Sequence, residues 1–66
     1  MYSSYETLQK ALKKEEQSYD YYSKLAADCS NDELRTLLET LRDEESRHIH
    51  LIKNMLTRVE LGHEPL

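Results

Sequence analysis

Sixty-six residues suffice for one thin domain; a chain this short buries only ~60% of the surface its unfolded form exposes and normally leans on disulfides, metal or self-association. Cys29 is the only cysteine, which excludes a disulfide within the chain and fits a reducing compartment. A net charge of −4 and a pI near 5.2 argue against a nucleic-acid module, and no apolar run approaches the ~18 residues of a membrane helix.

Met1-Tyr2-Ser3-Ser4 has neither the basic patch nor the apolar core of a signal peptide, so a cytoplasmic location is expected. Lys10, Lys13 and Lys14 form the one basic cluster, read as a solvated helix face. The single Gly and single Pro both fall within the last five residues, and Leu, Glu, Lys and Ala are abundant. That composition favours long helices over strands.

The first helix is expected over about residues 4–27. Ser3 with Glu6 three residues on forms a capping box, and Leu8, Ala11, Leu12, Tyr19, Tyr22, Leu25 and Ala26 follow at spacings of threes and fours. A polar turn is expected over about 28–30, within the run Asp28-Cys29-Ser30-Asn31. The second helix, about 31–61, opens on a second capping box from Ser30 to Glu33. Its stripe is Leu34, Leu37, Leu38, Leu41, Leu51, Ile52, Met55 and Val59, and Gly62 with Pro65 beyond supplies the stop. A short connection between long helices gives antiparallel neighbours. The expected architecture is all-α: one domain spanning 1–66, an antiparallel two-helix hairpin. Each stripe is only half covered by the other helix, so two hairpins are expected to dimerise into a four-helix bundle.

Charged residues interrupt both stripes. Glu15 lies seven residues after Leu8 and seven before Tyr22; Glu45 lies four after Leu41, and His48 four before Ile52. Glu44 borders the same stripe, and periodicity alone does not decide which of the adjacent carboxylates faces inward. Glu15 and Glu45 are about equally distant from the turn, so the antiparallel pairing brings them level at ~20 Å from it. Glu45-Ser46-Arg47-His48 is a Glu-x-x-His sequence, whose two side chains share one side of a helix. One hairpin offers two Glu and one His; a symmetric dimer offers four Glu and two His, the ligand set of di-iron and di-manganese carboxylate bundles. Four carboxylates balance two divalent ions. Carboxylate with imidazole suits iron or manganese, and zinc is an acceptable substitute without its preferred thiolates. The structural alternative is a polar residue that sets helix register.

The run Glu15-x-x-Ser18-x-x-Tyr21-Tyr22-x-x-Leu25-Ala26 resembles the first-helix motif of rubrerythrins and related ferritin-like proteins. Asp43-Glu44-Glu45-Ser46-Arg47-His48 resembles their second-helix motif. The interval from Glu15 to Glu45, the Asp20-Tyr21-Tyr22 run and the Arg42–Glu45 run are similar to those of the two-helix encapsulated ferritins, over roughly Leu12 to Leu56. The resemblance implies a ferritin-like half-bundle in which Glu15, Glu45 and His48 are catalytic iron ligands, two irons per dimer, with Tyr22 as a hydrogen-bond partner behind them. Glu44 and Glu16 are accessory candidates. It further implies a ferroxidase that oxidises Fe(II) with oxygen or peroxide for iron storage and detoxification, a homodimer that assembles into a ring, and housing in an encapsulin nanocompartment. Lys14 departs from the pattern, standing where encapsulated ferritins carry an acidic residue. The alternatives are a rubrerythrin-like peroxide scavenger and a non-catalytic dimeric interaction module.

Of the other residues, Tyr5 and Tyr19 are expected to fill or edge the core, Tyr21 to lie at an interface, and Cys29 to be an inert exposed thiol. His50 points away from His48, and His63 lies past the helix stop.

Overall fold

Two helices make up nearly all of residues 2–62, the range that the computed structural model describes. Helix α1 spans Ser4–Asp28 and helix α2 spans Asp32–Glu60, packed against each other as a hairpin. The hairpin is long and narrow, 47 × 18 × 14 Å. Among the described residues no helix is long and apolar enough to cross a membrane.

The helix ends have local causes. At the start of α1 the Glu6 amide donates to the Ser3 hydroxyl, whose own proton goes to the Glu6 carboxylate, both at 3.1 Å. At α2 the cap is Asn31 rather than Ser30: its side-chain oxygen accepts from the Leu34 amide at 2.9 Å. An Asx side chain satisfies one of the free amides of the first turn as well as a hydroxyl does, and its position shifts the helix start by one residue. Arg35 closes the turn by donating to the Cys29 carbonyl at 3.0 Å and by pairing with Asp32. Gly62 adopts φ +83° and its amide donates to the Val59 carbonyl, so the stop falls where it was expected. Pro65 and His63 lie outside the described residues.

The seam between the helices is thin. Among the described residues only Ala26 and Leu56 are buried, at 4% and 6% exposure; Leu12, Tyr19, Tyr22, Leu38, Leu41, Ile49, Ile52 and Met55 are half-buried. Four residues of the expected stripes, Leu25, Leu34, Leu37 and Leu51, are instead exposed, Leu51 by 67%. The physical reason is that two cylinders touch along one line. A stripe wider than that line leaves its outer edge in solvent. Ile49 and Leu56, which were not among the expected core positions, occupy the seam itself.

Candidate metal centre

Glu15 of α1 and Glu45 and His48 of α2 meet halfway along the hairpin. Glu45 and His48, three residues apart, present on one side of α2 because a helix turns about once in 3.6 residues. The antiparallel pairing then sets Glu15 opposite them. His48 Nδ1 is 3.6 Å from Glu15 Oε2 and 3.7 Å from Glu45 Oε2, and one donor atom of each residue lies within 4.8 Å of the others.

These separations are too long for hydrogen bonds, yet they suit a shared ion. Two donors each ~2.1 Å from one cation, at an angle near 120°, stand about that far apart. Burial is graded across the triad: the side chain of Glu45 is 17% exposed, that of Glu15 28% and that of His48 46%. Glu45 Oε2 is buried without a hydrogen-bond partner among the described residues. An unsatisfied buried carboxylate oxygen is costly, and a divalent cation is the partner the donor set is built to accept: two hard oxygens and one imidazole nitrogen. The residues fit the metal.

The neighbouring candidates separate clearly. Glu44 faces outward and pairs with Arg47 at 2.6 Å, so the adjacent carboxylates that periodicity left unresolved divide into a buried Glu45 and an exposed Glu44. Glu16 is exposed and lies away from the triad, in a groove of the opposite face with Tyr19, Asp20, Ser46, Ile49 and Lys53. Tyr22 is half-buried with its ring edge-on to Tyr21, centroids 5.5 Å apart. Among the described residues no hydrogen bond joins its hydroxyl to the triad within one hairpin. His50 is turned away, its Nδ1 2.9 Å from the Ser46 carbonyl. Cys29 is half-buried rather than exposed, its thiol directed at the Asn31 carbonyl at 3.5 Å, because the turn folds over it. Arg42, beside Asp43, has its pKa raised above the ordinary guanidinium value by the hydrogen bond to that carboxylate.

A helical hairpin that brings one Glu together with a Glu-x-x-His from the facing helix carries, once, the donor pattern that ferritin-like carboxylate di-metal bundles carry twice. The chain matches the family model described as Rubrerythrin over residues 6–66, and it belongs to that family. No curated protein and no solved structure matches it. Domains of this family are typically iron-binding redox proteins, in keeping with a candidate group of two carboxylates and a histidine.

Proposed function

We propose that the chain is half of a diiron oxidoreductase, a ferroxidase that takes Fe(II) as substrate and oxygen or peroxide as oxidant, at a centre completed by a second copy. The observation that carries this reading is the triad with its Glu45 Oε2, which is buried and has no hydrogen-bond partner among the described residues. A single hairpin supplies three donors for one ion and leaves His48 nearly half exposed. A second hairpin laid over the same face doubles the set to four carboxylates and two imidazoles, and four negative charges match two divalent ions.

Surface area supports the second copy. A compact monomer of 7.8 kDa exposes ~4,400 Å² by the usual scaling; this hairpin exposes 5251 Å². The excess is about what one partner contributes to a standard interface, ~800 Å². Leu34, Leu37 and Leu51 are among the exposed apolar side chains.

Iron, when bound, supplies the one-electron change between Fe(II) and Fe(III). The chain's own contribution is to hold the donors. Glu45, the most buried, fixes the inner side of the site. Glu15 would add an α1 donor to the same ion, and the half-buried Tyr22, on the α1 face of Glu15, would help to keep the space between hairpins dry. Oxygen and peroxide as oxidants are separable by experiment.

Anaerobic titration of the purified chain with Fe(II) tests the reading. Saturation at one Fe(II) per chain is expected, followed on addition of peroxide or oxygen by Fe(III) formation with matching consumption of the oxidant. Glu15→Ala should abolish both while circular dichroism stays helical. A chain that binds no Fe(II), or a Glu15→Ala variant that oxidises iron as the parent does, overturns it.

A further inference from the structure

Charge is sorted around α1. Between Thr7 and Ala27 the helix carries three acidic residues and four lysines. Glu15 belongs to the triad, and Glu16 and Asp20 line the groove against α2. The lysines stand on the side turned away from α2. Lys10, Lys13, Lys14, Gln17, Tyr21 and Lys24 follow one another at steps of one, three or four residues, and all six are exposed. They make a ridge ~21 Å long with no carboxylate among them, closed at its two ends by Glu6 and Asp28.

Helix stability does not account for this ridge. A solvated face gains from opposite charges three or four residues apart, whereas Lys10 has like-charged neighbours at both spacings, Lys13 and Lys14. Cations favour the last turn of a helix. The last turn of α1 has none, and three of its four lysines fall in the N-terminal half. Among the described residues none of the four forms an ion pair; the pairs present belong to Arg35, Arg42, Arg47 and His48. Lys10 instead sets its Nζ 4.6 Å from the centroid of the Tyr2 ring, a contact that leaves its charge uncompensated.

We infer that this ridge is a docking surface for a bounded acidic patch on another protein. The inference goes beyond the metal reading and stands without it. The sign of the partner follows from the lysines, and its extent from what surrounds them. A net charge of −4 repels a long polyanion, and a strand of charge longer than the ridge runs onto Glu6 or Asp28. An acidic patch of matching length meets the lysines alone. Phosphate is gripped best by the planar fork of arginine, and α1 contains no arginine. Tyr21 in the middle of the ridge, its ring braced edge-on by Tyr22, supplies the exposed aromatic that protein interfaces favour.

The probe is an alanine-based helical peptide of ~14 residues, the length of the ridge, with Glu at every third or fourth position. Heteronuclear NMR of the full chain at low ionic strength, where screening is weakest, should show amide shifts along Lys10–Lys24 that disappear as salt is raised. Lys13→Glu with Lys24→Glu should weaken binding about tenfold. Lys53→Glu with Arg58→Glu changes the net charge equally from α2 and should weaken it far less. Lys13→Gln with Lys24→Gln, a milder change, should also weaken binding and guards against a helix disturbed by charge reversal. No binding by the parent, or equal losses from the α1 and α2 charge reversals, overturns the docking surface. A single-stranded oligonucleotide that binds the ridge more tightly than the acidic peptide overturns the class of partner.

Discussion

Replacing Glu45 by Leu separates the stability of the metal-free hairpin from its metal site. Glu45 is the most buried of the three donors, and its Oε2 has no hydrogen-bond partner among the described residues. Removing a buried, unsatisfied polar group recovers its desolvation penalty, ~1–3 kcal/mol. Leu is as good a helix former as Glu, so no opposing backbone cost is expected, and the carboxylate of Glu15 loses a like-charged neighbour. For a domain this small 1 kcal/mol moves the melting temperature by ~4–8 °C. Metal-free Glu45→Leu should therefore melt roughly 5–20 °C above the parent. Fe(II) should narrow or close that gap: at a hundredfold excess over its dissociation constant the parent gains ~2.7 kcal/mol by linkage, whereas the variant gains little. The assay is thermal unfolding followed by far-ultraviolet circular dichroism, anaerobically, at one fixed protein concentration, with and without Fe(II). A metal-free variant that melts at or below the parent refutes the reasoning, since Glu45 would then be stabilising without metal.

Fe(II) should shift the parent from monomer towards dimer in sedimentation velocity, because two ions cancel the repulsion of four facing carboxylates; His48→Ala should blunt that shift although Ala favours the helix. A distribution indifferent to metal in both proteins would mean that apolar packing alone builds the assembly. Leu56→Ala, at the buried leucine of the seam, should destabilise by ~2–5 kcal/mol, visible as a lowered urea midpoint with Fe(II)-independent size. Asn31→Ala should cost ~1 kcal/mol by removing the cap of α2, while Ser30→Ala should cost almost nothing; equal losses in denaturant titration would contradict the observed cap.

The two helices and the meeting of Glu15, Glu45 and His48 were legible in the sequence because both are set locally. The scarcity of Gly and Pro leaves no internal break, and polar residues on an apolar stripe stand out by spacing alone. The level meeting of Glu15 with Glu45 also followed, since antiparallel pairing across a short turn fixes depth by counting residues. Three things did not follow. Glu44 and Glu45 are adjacent, and by periodicity a stripe wider than the seam admits either; the family resemblance favoured Glu45, and the packed hairpin turns it inward and leaves Glu44 to Arg47. Asn31 outcompeted Ser30 as the cap because the turn's geometry, held by Arg35 on the Cys29 carbonyl, decides which side chain reaches the Leu34 amide. Hydropathy ranks Leu51 with Leu56, yet one is exposed and the other buried. Periodicity assigns a residue to an apolar face, whereas the line of contact between two helices decides which part of that face is covered.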